Sequence, residues 1–182
     1  GLPGKNIRAL AGAPLIAHSI RAAALTPAVT RCIVTTDSAE IASVAREHGG
    51  EAPFLRPAAL AGDDTPMAPV VRHALEWCEG EEGASYAAVL LLDPTSPARV
   101  PQQIADAAAL LFGSPELDGV ISVSEPTFNP VWVGVRPTPD GALERFFGAG
   151  AGVTRRQDAG RFLRINGNFY LWRAEFVRRL EA

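Results

Sequence analysis

The sequence predicts an α/β fold with a mostly parallel, doubly wound sheet flanked by helices. Three observations carry that expectation. Apolar runs of strand character recur at 32–37, 87–93 and 119–124. Segments with helical spacing stand between them. The run from Ala87 to Asp93 is apolar without alternation, which suits a strand covered on both faces.

Each element has its own signal. Pro14 to Leu25 is predicted helical. Pro14 suits a first turn, Ile16, Ile20 and Ala24 repeat every four residues, and Pro27 follows as a stop. Cys32 to Asp37 is β-branched and apolar, a buried strand. Ser38 is placed to cap a helix that runs through His48 and closes at Gly49-Gly50. Glu51 to Pro57 reads as extended. Pro69 to Glu79 is helical, with Val70, Ala74 and Trp77 on one face. Pro101 to Phe112 is the next helix and Gly119 to Ser124 the next strand. From 128 to 164 the pattern changes to short strands, turns and scattered arginines, with a clear turn at Pro137–Gly141. Phe169 to Trp172 reads as a strand, and a helix begins at Ala174.

Composition bounds the function. At 182 residues the chain suits one domain, with 128–164 as a small arm within it. A net charge of −3 gives no overall attraction to nucleic acid or acidic lipid. No apolar run approaches the roughly 18–20 residues that span a bilayer. Cys32 and Cys78 match no metal spacing and argue against a disulfide scaffold. His18, His48 and His73 have no ligand-spaced partners, so structural roles are expected. The chain opens in a loop at Gly1 and closes inside a helix, so it is expected to be incomplete at both ends.

Polar residues gather where the strands end. These ends are Thr35-Thr36-Asp37, Asp93-Pro94-Thr95-Ser96 and Ser124-Glu125. Ligands of open α/β sheets bind outside the carboxyl ends of the strands, so three such ends point to one polar pocket. The opening loop holds Gly1, Gly4 and Lys5, the only lysine in the chain. It matches no Walker or dinucleotide pattern, and taken alone reads as a surface loop. Arg155, Arg156, Arg161 and Arg164 cluster late, with Arg164 beside the turn Asn166-Gly167-Asn168. A solvated face is the usual account of such a run, but guanidinium forks also match carboxylate and phosphate oxygens.

An ordered set of blocks then adds up. Leu2-Pro3-x-Lys5-Asn6 is followed by Thr35-Thr36-Asp37, then by Phe54-Leu55-Arg56-Pro57 with Leu60-Ala61 and Asp63. Leu91-Leu92-Asp93-Pro94-Thr95-Ser96-Pro97-x-Arg99, Arg156-Gln157 and Arg164-x-Asn166-Gly167 complete it. The set resembles the acylneuraminate cytidylyltransferases, the CMP-sialic acid synthetases, nearly end to end. The enzymes that activate Kdo and bacterial sialic-acid-like sugars are close alternatives. The resemblance implies a Rossmann-like nucleotide-diphosphosugar transferase fold. It also implies transfer of CMP from CTP to a 2-keto nonulosonic acid, with Mg²⁺, in a cytoplasmic homodimer whose arm is 128–164.

By the same resemblance, Lys5, Arg156 and Arg164 are the candidate catalytic cations. Asn6, Arg56 and Asp63 fall on the nucleotide side, and Asp93, Pro94, Thr95, Ser124 and Asn166 on the sugar side. Several positions depart from the family pattern. Its strand and Ala-Arg-x-Gly-Ser-Lys block do not precede Gly1, and its metal-binding aspartate pair is not found before Ala182. Asp93 stands where an amide is usual, and Phe128-Asn129-Pro130 and Trp132 stand where His-His-Pro and a lysine are frequent. These changes point to a sugar other than ordinary N-acetylneuraminate. A pyrophosphorylase for another nucleotide or sugar, and a non-catalytic nucleotide-binding module, remain as alternatives.

Overall fold

The structure is a computed structural model that describes residues 2, 4–148, 152 and 155–180. The chain forms two units, Gly1–Ile121 with Gly167–Ala182, and Ser122–Asn166.

In the first unit Gly4, at φ +64°, turns the chain into a 3₁₀ turn, Lys5–Ile7. A short hairpin follows, β1 (Ala9–Leu10) with β2 (Ala13–Pro14). Its turn residues Ala11 and Gly12 both have positive φ, as a two-residue hairpin turn requires. The sequence has no signal for this hairpin, because two-residue strands carry no period. Helix α1 (Leu15–Ala24) then buries Ile16 and Ile20, and His18 Nε2 bonds the Leu10 carbonyl at 2.9 Å.

Residues 32–37 run extended but form a single parallel bridge, Ile33 to Glu51, where a full strand was expected. Val34 N–H donates to Glu51 O at 2.7 Å, and Glu51 N–H to Cys32 O at 3.0 Å. Burial pushes the Cys32 thiol pKa up, in keeping with its apolar surroundings. Ser38 caps α2 (Ala39–Glu47) as expected, its Oγ accepting from Ile41 N–H at 3.3 Å. A Cβ on Gly50 would lie 2.8 Å from Ile20 Cδ1, so glycine there lets the turn after α2 close onto α1.

Helix α3 (Met67–Glu82) is longer than its periodicity showed, and Gly83 ends it at φ +61°. Strand β3 (Ala88–Leu91) follows, then α4 (Pro101–Gly113) and β4 (Gly119–Ser124). The second unit contains α5 (Pro130–Val133) and an antiparallel hairpin, β5 (Val135–Pro137) with β6 (Leu143–Arg145). Thr138 and Gly141 close the expected turn between them. Strand β7 (Arg164–Arg173) leads back to the first unit and into α6 (Ala174–Arg179).

The sheet has the order β3-β7-β4. Ala88 and Leu90 pack with Phe169 and Leu171 under α4, while Val89 and Leu91 face α3 and α6. Both faces are therefore covered, as the continuous apolar run of β3 requires. The strand directions correct the expectation of a mostly parallel sheet, since β7 pairs antiparallel with β3, Ala88 opposite Arg173. An unbroken apolar run reports burial on two faces and is silent on the direction of the neighbouring strand. Arg173 closes the carboxyl end of α4, donating to the carbonyls of Leu111 and Ser114.

Candidate functional site

One group of site residues forms around the carboxyl end of the 32–37 segment. Arg56 N–H donates to the Thr36 carbonyl at 2.8 Å, and a terminal guanidinium nitrogen lies 3.6 Å from Asp37 Oδ1. Thr36 is buried, and its Oγ1 accepts from Ser38 N–H at 3.1 Å. The 3₁₀ turn carrying Lys5 and Asn6 packs on α1 and on α2, the helix that follows this segment. Three buried polar atoms here have no partner among the described residues: Asn6 Oδ1, Thr35 Oγ1 and Arg56 Nε. A buried group left unsatisfied costs about 1–3 kcal/mol. Asn6 Oδ1 accepts, Arg56 Nε donates and Thr35 Oγ1 can do either, so a polar ligand that carries both donors and acceptors would satisfy them. Thr35 was grouped with the polar strand ends in the sequence, but its orphaned hydroxyl is visible only in the structure. Lys5 has an exposed side chain. Asp63 lies exposed in the turn after the 3₁₀ segment Ala58–Leu60 and makes no hydrogen bond among the described residues.

A second group forms beyond β3. Asp93 Oδ1 accepts from Thr95 N–H at 2.9 Å and from Thr95 Oγ1 at 2.7 Å. Asp93 and Thr95 are exposed and Pro94 half-buried. Ser96 Oγ donates to the Gly167 carbonyl at 3.1 Å. Arg99, 8% exposed, donates from NH2 to the Asp93 carbonyl, from Nε to the Asn168 carbonyl, and from NH1 to Ser19 Oγ at 2.7 Å. Burial pushes its pKa down to about 10, opposed by the charge of Asp93. The guanidinium is thus still a cation at neutral pH. Arg99 closes the Leu91–Arg99 block, but its sequence context assigns it no role.

The third group belongs to the second unit. Arg164 Nε donates to Ser124 Oγ at 3.2 Å. Asn166 lies two residues along β7, so its side chain shares a face with that of Arg164. Close by in that unit, Arg161 pairs with Glu125 at 2.7 Å. Asn129 there caps α5 at Val131 N–H and donates to the Gly160 carbonyl at 2.8 Å. Arg156 begins a 3₁₀ turn, Arg156–Asp158, and its side chain lies outside the described residues, as do Gly1 and Pro3 of the opening motif.

The structure therefore joins Arg56 to Thr36 and Asp37, Asp93 to Thr95, and Arg164 to Ser124. It brings Asp63 to none of them. Among the described residues no three acidic, histidine or cysteine side chains gather as ligands for a metal. No described helix is long and apolar enough to cross a membrane.

Comparison with known proteins extends this geometry. A family model described as cytidylyltransferase matches residues 1–177. CMP-N,N'-diacetyllegionaminic acid synthase of Legionella pneumophila is 40% identical over 131 residues, 72% of this chain and 55% of that protein. N-acylneuraminate cytidylyltransferase of Escherichia coli is 33% identical over 147 residues, 81% of this chain and 33% of that protein. The chain thus spans about half, or less, of the length of these two relatives. In fold it resembles a solved CMP:2-keto-3-deoxy-manno-octonic acid synthetase complexed with CTP, at TM-score 0.70 and 17% identity. That likeness covers all of this chain and 73% of the other. With the strand-end groups in place and the match running nearly end to end, the chain belongs to the cytidylyltransferase family.

Proposed function

We propose that this protein transfers CMP from CTP to a 2-keto sugar acid of the nonulosonic type, releasing pyrophosphate. The observation that carries the reading is the set of buried, unpartnered polar atoms, Asn6 Oδ1, Thr35 Oγ1 and Arg56 Nε, in a chain of this family. On this reading they take the nucleotide. The anomeric hydroxyl oxygen of the sugar attacks the α-phosphorus in line. A new P–O bond forms as the bond to the bridging α–β oxygen breaks, pyrophosphate leaves, and the hydroxyl proton passes to solvent. Negative charge develops on phosphate oxygens, so fixed cations and N–H donors lower the barrier. Lys5, Arg156 and Arg164 are assigned that work. The exposed fork of Arg164 is also suited to the sugar carboxylate.

Asp93 accepts hydrogen bonds and, ionised, donates none. On the sugar side it favours a substrate that presents hydroxyl or amide N–H donors there, consistent with a sugar other than ordinary N-acetylneuraminate. No cluster of three ligand side chains lies among the described residues, but a nucleotide-bound magnesium ion needs only one or two carboxylates beside the phosphates. On this reading Mg²⁺ arrives with the triphosphate as its counterion. The second unit is proposed as the arm of a homodimer. It exposes Phe128, Val135, Leu143, Phe146 and Ile165, a large apolar surface for one small unit. The reaction is placed in the cytoplasm, where CTP is available.

The test is pyrophosphate release from CTP and Mg²⁺ with a panel of nonulosonic acids, run beside UTP, GTP and ATP. Release with CTP and at least one acid is expected. Release with another nucleotide instead would move the assignment to a different pyrophosphorylase. No release with any acid, together with no binding of CTP, overturns the reading. Sedimentation at micromolar concentration tests the dimer.

A further inference from the structure

We propose that Arg99 is a positioning residue that sets the geometry of the Asp93–Thr95 loop and, through it, the affinity for the sugar acid. This rests on the function proposed above.

Arg99 lies outside the groups that meet ligand on that reading, yet it links three separate pieces of the first unit. Its three hydrogen bonds reach the end of β3 at Asp93, β7 at Asn168 and α1 at Ser19. All three acceptors are neutral, two carbonyls and a hydroxyl. With no hydrogen bond to a charged acceptor, burying the cation is costly, and for stability alone an apolar side chain would serve as well. What an apolar side chain cannot do is hold three oxygens in the plane of one rigid fork. Lysine, a flexible point charge, cannot reproduce that plane either.

The consequence falls on Asp93. Its carbonyl is held by Arg99 NH2 and by Ser96 N–H at 3.2 Å. Its Oδ1 is held twice by Thr95. Ser96 in turn is tied to Gly167, where β7 takes φ +67° beside the Asn168 carbonyl that Arg99 also holds. Asp93 is thereby fixed at backbone and side chain, with Oδ2 making no bond among the described residues. That oxygen is presented to the surface in one orientation. Releasing the Arg99 end leaves the Asp93 carbonyl held only by the local turn through Ser96 N–H.

The experiment compares Arg99→Lys and Arg99→Met with wild type. Far-UV circular dichroism establishes folding. Amide exchange at Thr95 and Ser96 is then read against Leu111 in the core of α4, and KM is measured separately for CTP and for the sugar acid. Exchange at Thr95 and Ser96 is expected to rise about tenfold with Leu111 unchanged, Lys falling between wild type and Met. The sugar-acid KM is expected to rise about tenfold while the CTP KM stays within about twofold. Loop exchange within about twofold of wild type in a folded variant overturns the proposal, as does a parallel rise of both KM values. If both variants fail to fold, Ser19→Ala, which removes only the acceptor of NH1, is read by the same exchange experiment. If wild type shows no transfer at all, the functional reading falls, and the exchange measurement alone still decides whether Arg99 positions the loop.

Discussion

Arg56→Met separates binding from stability with opposite signs. The Arg56 side chain is 21% exposed, and among the described residues its Nε has no partner and its one ion-pair contact is 3.6 Å from Asp37, itself 55% exposed. Such an exposed pair is worth about 0–1 kcal/mol. The unsatisfied Nε costs about 1–3 kcal/mol, which methionine removes while keeping an apolar stem. The backbone bond to Thr36 is unaffected by the change. Stability of the free protein is therefore expected to hold or rise. Binding moves the other way. Losing a charged hydrogen bond to a phosphate or ribose oxygen costs about 1.5–3 kcal/mol, or about tenfold to a hundredfold in Kd. Titration calorimetry with CTP and Mg²⁺ measures that directly. A melt checks it independently. CTP at a hundred times the wild-type Kd stabilises wild type by about 2.7 kcal/mol and the variant by about 0.4–1.4 kcal/mol. At about 2–4 °C per kcal/mol, the wild-type shift is about 5–11 °C and the variant's is half of that or less. CTP affinity within about threefold of wild type would refute the reasoning, as would a fall of more than about 4 °C in the unliganded melting temperature.

Arg164→Ala is expected to cut turnover about tenfold to a hundredfold with little change in melting temperature, because the side chain is exposed and among the described residues bonds only Ser124. Arg164→Lys should recover part of the loss, and wild-type turnover in the alanine variant would remove Arg164 from the site. In Gly119→Ala the new Cβ would sit 2.5 Å from Trp172 Cδ1 and 2.8 Å from the Leu171 carbonyl. Backbone cannot yield cheaply, so a loss of about 1–3 kcal/mol in urea unfolding is expected, and no loss would show that β4 and β7 approach less closely. Glu79 accepts from Arg178 at 2.6 Å and from Tyr86 N–H at 3.2 Å, and the Arg178 bond holds its pKa below the ordinary 4.5. A lowered carboxylate pKa contributes stability above pH 4.5 that is lost as pH falls through the folded value. Acid unfolding curves of wild type and Glu79→Gln should thus converge below pH 4.5, and a constant gap would contradict the pairing.

Much of the site was legible because its signals are local. Ser38 before an amphipathic run is a cap wherever it occurs, and it caps α2. Asp93 and Thr95 bond across two residues, a turn that the polypeptide writes into its own sequence. The helices announced themselves by period, and β3 by an apolar run that only double-sided burial explains. The silent features are those with no period or no near neighbour. The hairpin of β1 and β2 is too short to show alternation. Residues 32–37 have strand composition, but composition cannot count the neighbours that make a ladder.

The sequence by itself determined which segments are helical or extended, which faces are apolar, and which polar residues crowd the strand ends. These follow from side-chain volume, capping chemistry and turn preference, all acting within a few residues. Tertiary structure alone decided that β7 enters antiparallel between β3 and β4, and that Arg99 reaches across 80 residues to Ser19 and 69 to Asn168. It alone left Asn6, Thr35 and Arg56 with hydrogen bonds unmet among the described residues. Such pairings, and such vacancies, exist only once distant segments have closed on one another, because a hydrogen bond is set by distance in space and not by separation along the chain.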